Sequence, residues 1–216
     1  EGGFLSQVQA GLIFDSRNKE PSATQGIFSE VSLRGAKVAT ASEFALWGAN
    51  MTHRQWVPLT ADGDLVLALR IGADLHTGEV PFFHQHILGG SQWTEVGGNL
   101  TLRGLPNGRH RGNVTAYSNT ELRWLFSSFT AFTADFDLMM VPFLDLGRVW
   151  LWDEDDAPFH IHGSAGNSLR IAYNDVFVIR FDVAGALEEY AETTGSKTIK
   201  ERRGVLGIYA MINHPF

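Results

Sequence analysis

The sequence contains no cysteine, which excludes a disulfide framework, a thiolate zinc site and cysteine catalysis. Positive charge is also scarce, because 17 Lys and Arg residues face 24 Asp and Glu residues, for a formal net charge of −7. We therefore expect no nucleic-acid partner, since phosphate binding needs clustered positive charge. The longest uncharged stretch, Val80 to Thr94, is shorter than the roughly 18 apolar residues that a membrane-spanning helix needs, so a helical anchor is excluded.

What the sequence does have is a long-range alternation of apolar and polar residues. In one segment, Phe177, Ile179 and Phe181 share one face, while Arg180 and Asp182 share the other. Several such segments run for roughly 12 to 15 residues, whereas globular strands average about 5 or 6. The pattern predicts an all-β fold, a transmembrane antiparallel β-barrel of the outer-membrane type with an apolar outside and a polar inside. A soluble β-sandwich or a lipocalin-like barrel with its faces exchanged is the alternative.

About nine strands follow from this alternation, and we treat residues 1–216 as one barrel domain. The predicted strands are 4–17, 25–36, 43–58, 64–76, 112–127, 130–151, 160–173, 175–188 and 204–215. Nine is an odd number, whereas single-chain bacterial barrels usually close with an even one, so either a strand is misassigned or the chain is part of a larger barrel. The sequence does not begin with Met and shows no signal peptide, which predicts a mature protein or a piece of one.

The connection at 77–111 is longer than loops without a function usually are, and it contains the first of several motifs that follow one another along the chain. It contains L-R-G at 102–104; the next strand carries Glu121, and the strand after it carries F-L-D-L-G at 143–147. Near the start, residues 11–17 read G-L-I-F-D-S-R. Together and in this order, the motifs resemble those of the BamA-like outer-membrane assembly and translocation superfamily, the bacterial surface-antigen barrels.

The resemblance implies that the loop at 77–111 is extracellular, folds back into the lumen and is pinned there by Arg103 against Glu121 and Asp145. The alternation itself puts both carboxylates on the luminal faces of neighbouring strands, and the Arg fork of donors suits carboxylates. The alternative is that Arg103 is a solvated loop charge of little energetic value. Residues implied to support the motif are Leu102, Gly104, Phe143 and Gly147.

The last strand carries the second implied site. Tyr209 and Phe216 would form one side of a seam between the first and last strands, with Phe216 as the C-terminal assembly signal. Two residues depart from the family pattern: Leu105 stands where the family has an aromatic ring, and Pro215 precedes the terminal Phe. Barrels of this family have sixteen strands, and counting from the loop makes this chain the C-terminal part, beginning just before the eighth strand.

Other chemistry is poorly supported by the sequence. The pairs His84/His86 and His160/His162 could chelate a metal, but each lacks a third ligand at a convincing distance, so we predict neither a metal nor another cofactor. No G-x-S-x-G nucleophile motif occurs, and we do not expect an enzyme.

The function implied by the resemblance is the insertion or translocation of proteins at the bacterial outer membrane. The expected partners are outer-membrane lipids, client outer-membrane or secreted proteins, and either another barrel chain or periplasmic proteins. Two alternatives stay open: the chain is the barrel anchor or pore domain of a patatin-like phospholipase, or it is a passive, structural barrel.

Overall fold

Long antiparallel strands dominate the structure, a computed structural model that describes residues 2–37, 41–108, 110–152, 161–174, 176–187, 189–194, 197–203 and 206–212. Predictions that concern Phe216, Pro215 and His160 lie outside the described residues. In the part of the chain that the structure describes, no helix is long and apolar enough to cross a membrane.

The strand bounds follow the predicted ones to within a few residues at most ends. The strands are β1 Gln7–Asp15, β2 Gly26–Ala36, β3 Leu46–Pro58, β4 Leu65–Gly78, β5 Ile87–Leu88, β6 Thr94–Glu95, β7 Val114–Ala131, β8 Ala134–Trp150, β9 His162–Tyr173, β10 Phe177–Ala186, β11 Glu189–Thr194, β12 Lys197–Arg203 and β13 Leu206–Ile212. Within the described residues, nine strands form one sheet in the order β1-β2-β3-β4-β7-β8-β9-β10-β13, and each neighbouring pair is antiparallel.

The two faces of this sheet are chemically opposite. Leu12, Ile71 and Ile208 are more than half exposed on the outer face, while Arg70 and Asp182 are buried on the inner face. A soluble sandwich would bury the apolar face, so the structure confirms the barrel-wall interpretation of the alternation. Over the described residues the sheet does not close, because β1 and β13 pair only with β2 and β10.

The turn between β7 and β8 differs from the prediction. The sequence predicts it at 126–129, but the strands continue to a two-residue connection at Phe132 and Thr133, whose φ angles are +50° and +65°. The register shifts between Leu125 and Ser127, and this irregularity interrupts the alternation on which the sequence prediction depends. The sequence prediction also misses the short pairs β5–β6 and β11–β12, which lie inside connections.

The connection between β4 and β7 positions the candidate site. It does not project away from the sheet but packs against its inner face, so that His84, Leu88, Val96 and Thr101 are buried. Leu88, Val96, Leu102 and Leu105 form a small apolar cluster with Tyr117 of β7. We call residues 79–113 the inner loop.

Candidate site where the inner loop meets the wall

A tight turn in the inner loop presents Arg103 to the wall. Leu105 N donates to the Leu102 carbonyl at 3.2 Å, and Gly98 N donates to the Leu105 carbonyl at 2.8 Å, which fixes the turn from both sides. Gly104 has a φ of +89°, a conformation that glycine adopts without strain. A side chain there would bring a Cβ to 3.2 Å from the backbone of Ala184 in β10, so the turn fits closely against that strand.

Arg103 makes a two-pronged contact with Asp145 and a third bond to Glu121. Its Nε donates to Asp145 Oδ2 at 2.8 Å, its Nη2 to Asp145 Oδ1 at 2.9 Å, and its Nη1 to Glu121 Oε1 at 2.8 Å. The backbone N of Arg103 also donates to Asp145 Oδ2 at 3.1 Å. The guanidinium carbon lies 3.5 Å from the centre of the Phe143 ring, so an aromatic face covers the charged group.

All three charged groups are withdrawn from solvent. The exposed fraction of the side chain is 1% for Arg103 and 0% for both Glu121 and Asp145. Burial alone would lower the pKa of Arg103, but its hydrogen bonds to Asp145 and the negative charge of Glu121 outweigh burial and raise that pKa above its ordinary value. Arg103 is therefore a paired internal cation and not the solvated loop charge that was the alternative.

The wall supplies further partners for the two carboxylates. Glu121 accepts hydrogen bonds from Arg170 Nη2 at 2.6 Å and from Arg123 Nε at 3.0 Å, while Asn119 Nδ2 donates to Asp145 at 2.7 Å. These residues meet because 119, 121 and 123 share the inner face of β7 and because Asp145 pairs with Asn119 across β7 and β8. The two carboxylates are thus surrounded by three cations, Arg103, Arg123 and Arg170. We call the buried contact of Arg103 with Glu121 and Asp145 the Arg103 anchor.

The predicted support residues lie around this anchor. Leu102 is fully buried and packs over Gly147, where a Cβ would come to 2.9 Å from the leucine Cδ1. Leu105 stands where the family pattern has a ring, and it is 1% exposed within the apolar cluster of the loop. Gly147 is thus required for close packing, and a smaller apolar side chain fills the place of the expected aromatic ring.

Tyr209, predicted from the last strand, also reaches the loop. Its hydroxyl accepts a hydrogen bond from Gly104 N at 2.9 Å, although the two residues are 105 positions apart. A Cβ at Gly207 would come to 2.9 Å from the Cα of Gly104, so β13 and the loop turn touch through backbone. The structure therefore brings Tyr209 to the Arg103 turn, a contact that the sequence did not predict.

A second group of wall residues contacts the inner loop at 87–91, and the sequence prediction misses it. Arg34, Asp74 and His76 are each at most 3% exposed on the inner faces of β2 and β4, and they surround Gly89. Strand alternation predicts that such residues lie on the inner face. The loop sequence does not show what they bind, because the loop contributes backbone groups to this contact.

The structure gives no support to the metal site considered for the two histidine pairs. Among the described residues, which do not include His160, no group of three His, Asp or Glu side chains is placed to hold a metal ion.

Long strands with an apolar outer face and a charged inner face define a bacterial outer-membrane β-barrel protein. Residues 3–201 match the model of the Omp85 superfamily domain, so the chain belongs to the Omp85 superfamily. The fold is also similar to that in the crystal structure of BamA from Haemophilus ducreyi lacking POTRA domains 1-3, with a TM-score of 0.66 at 15% identity. That match covers 95% of this chain but only 42% of the BamA chain. No curated protein matches the sequence.

Proposed function

We propose that this chain is the C-terminal part of an outer-membrane barrel that inserts or translocates other proteins at the outer membrane. The observation that carries the proposal is the Arg103 anchor, in which a loop is bound inside the wall by an ion pair 1% or less exposed. Buried charges are strongly unfavourable without complete pairing, and here Arg103 is paired with both carboxylates, so the contact holds the loop in one defined position. A loop that controls passage through a protein-conducting lumen has to be held in one position, and this contact provides that.

The last strand offers a template to a client protein. In the described residues β13 pairs only with β10, so its other edge faces the position that the first strand of a complete barrel, or an incoming client strand, would take. An edge of this kind can pair with an incoming strand, which is how strand addition operates in other systems. Tyr209 connects that edge strand to Gly104 beside Arg103, which links the loop to the place where a client strand would add.

The proposed partners follow from the surfaces. Outer-membrane lipids would cover the exposed apolar face that carries Leu12, Ile71 and Ile208. Client outer-membrane or secreted proteins would engage the edge of β13 or the lumen. Periplasmic proteins or another barrel chain complete the proposed set of partners.

Liposomes that contain the full-length protein test the proposal. An unfolded client barrel is added, and its folding is followed by the change in electrophoretic mobility that folded barrels show without heating. The chain has no cysteine, so once any cysteine elsewhere in the full-length protein has been replaced, a single Ala210→Cys on β13 can be cross-linked to cysteines placed along the client. The matched control is Ala116→Cys, which lies on the outer face of β7 in the middle of the sheet.

We expect faster client folding than in protein-free liposomes, and cross-links at position 210 but not at 116. Client folding no faster than in empty liposomes would overturn the proposal. Steady ion conductance together with that result would favour a passive barrel, and equal cross-linking at both positions would rule out a special role for β13.

A further inference from the structure

We infer that the inner loop has a second anchor on β1–β4, and that the lumen opens only when both anchors release. This Asp74 anchor consists of Gln9, Glu30, Asp74 and His76, which contact loop residues 87–91, and of Arg34, which is bonded to Asp74 and His76. The inference rests on the proposed function, because the state of the lumen matters only if proteins or solutes pass it.

Asp74 is the centre of the anchor. It accepts hydrogen bonds from Arg34 Nη2 at 2.6 Å, from Asn50 Nδ2 at 3.0 Å and from the backbone N of Gly89 at 2.8 Å. The Nε2 atom of His76 lies 2.8 Å from Asp74 Oδ1 and 3.1 Å from the Ile87 carbonyl oxygen, so the imidazole bridges the wall and the loop. Asp74 is 2% exposed, and an acceptor this buried is costly to leave without its donors.

Glu30 and Gln9 extend the anchor along the loop. The Ser91 hydroxyl donates to Glu30 Oε2 at 2.7 Å, and the Ser91 backbone N also donates to Glu30. Gln9 Nε2 of β1 donates to the Gly90 carbonyl at 2.9 Å. Four consecutive strands, β1 to β4, therefore take part in holding this part of the loop.

Glycines make this backbone contact possible. Gly90 has a φ of +107°, and a Cβ there would come to 2.9 Å from Asn50 Oδ1. A Cβ at Gly89 would come to 2.0 Å from Arg34 Nη1, inside the distance at which atoms overlap. The loop backbone thus lies so close to the charged wall that only glycine fits at these two positions, which indicates that the contact is specific.

The two anchors lie on different parts of the wall. The Asp74 anchor holds 87–91 against β1–β4, whereas the Arg103 anchor holds the turn at 102–105 against β7, β8, β10 and β13. The intervening loop is also bonded to the wall: Arg180 Nη2 donates to the Asn99 carbonyl at 2.8 Å, Arg70 Nη2 to the Leu100 carbonyl and Asn119 Nδ2 to the Thr101 carbonyl. Release of one anchor leaves the other half of the loop in place, so neither release alone clears the lumen.

The full-length protein in liposomes tests this with Asp74→Ala, Arg103→Ala and the double variant. Chymotrypsin is added, the cleavage sites are mapped by mass, and ion conductance is recorded in planar bilayers. We expect Asp74→Ala to increase cleavage in 79–92 above that of the parent protein, at the buried Leu88 above all, while cleavage in 95–108 does not change, and Arg103→Ala to show the reverse. Conductance should rise severalfold only in the double variant. The control is Asp135→Ala, which removes an exposed carboxylate bound to Thr130 at the opposite end of β8.

Two results would overturn the inference. One is cleavage of 79–92 in Asp74→Ala no greater than in the parent protein, and the other is conductance in either single variant equal to that of the double. If Asp74→Ala does not fold, Ser91→Ala removes one loop-side bond to Glu30 while leaving the wall unchanged, and it should give partial cleavage in 79–92. Neither readout uses a client protein, so failure here is distinguishable from failure of the insertion experiment.

Discussion

The Arg103 anchor and the Asp74 anchor hold the same loop by opposite chemistry. In the first, the loop supplies a charged side chain and the wall supplies carboxylates. In the second, the wall supplies the charges and the loop supplies mainly peptide groups at Ile87, Gly89, Gly90 and Ser91. A side-chain anchor is sensitive to the identity of one residue, whereas a backbone anchor is sensitive to any added volume. One loop can therefore be fixed twice without the second contact leaving a sequence motif.

The largest effect is expected from Arg103→Ala, which removes the side chain of the first anchor. Asp145 would lose its forked donor inside the wall, and breaking a buried pair from one side costs roughly 3–5 kcal/mol. Cleavage within 95–111 should rise while 87–91 stays protected, and the urea midpoint of unfolding should fall. Arg103→Lys keeps the charge but not the fork, so we expect only partial recovery. Unchanged cleavage at 95–111 would show that Arg103 does not hold the loop.

Smaller losses of stability are expected from Gly104→Ala and Gly90→Ala, and each substitution should affect only the anchor at which it lies. Both glycines have positive φ, so an added Cβ costs about 1–3 kcal/mol of backbone strain and also meets the wall. Each variant should increase cleavage at its own end of the loop only. Gly63→Ala is the matched control, because its φ is +81° but no atom lies within 4 Å of the added Cβ. Equal cleavage patterns in the two loop variants would contradict the division into two anchors.

A pH dependence should distinguish the anchors, because His84 lies beside the Asp74 anchor. Burial, reinforced by His76 and Arg34 and weakly by His86, lowers the pKa of His84 to about 4, while Asp74 opposes this shift. The released loop therefore takes up a proton that the docked loop excludes, so docking is fully favoured above pH 6.5 and weakens as the pH falls toward 4.

A spin label at Gln92→Cys reports this docking without a protease. Its mobility should increase between pH 6.5 and pH 4, whereas cross-linking or labelling near Arg103 should not change over that interval. In a His84→Gln background the transition should disappear. Persistence of the same transition in that background would assign it to another group.

The smallest effect is expected from Tyr209→Phe, which removes the hydroxyl that accepts from Gly104 N. Loss of one neutral hydrogen bond costs about 1 kcal/mol. Hydrogen exchange at 206–212 should become faster, with no change at 87–91. Tyr173→Phe is the control, because that ring stacks on Phe177 at the other end of the wall. Unaltered exchange at 206–212 would mean that the hydrogen bond from Gly104 to Tyr209 does not stabilise β13.

Much of the fold could be predicted from the sequence, because a barrel wall repeats one rule at every second residue. Alternation assigns Arg180 and Asp182 to the inner face, and both are buried there. The extent of β7 could not be predicted, since the irregularity after Leu125 interrupts the period on which the prediction rests. The strands β5 and β6 have two residues each, too few to show a period.

The two anchors also differ in how far the sequence alone predicts them. Arg103, Glu121 and Asp145 are side chains within recognisable motifs, so their meeting could be anticipated. The Asp74 anchor depends on where a long loop places its peptide groups, and Gly89 and Gly90 carry no side chain to signal it. The link from Tyr209 to Gly104 joins residues 105 positions apart and likewise depends on the folded path of the loop.

The two-residue connection between β7 and β8 bears on the order of folding. Positive φ at Phe132 and Thr133 matches the turn geometry that suits twisted hairpins, and hairpin contacts need little loop closure. We expect this hairpin to form early, with amides of 114–124 protected from exchange during refolding before those of 206–212. Both carboxylates that receive Arg103 lie on this hairpin. The site that binds Arg103 then forms before the wall is complete. The docked turn can therefore help to set the register of β10 and β13 when they join the sheet.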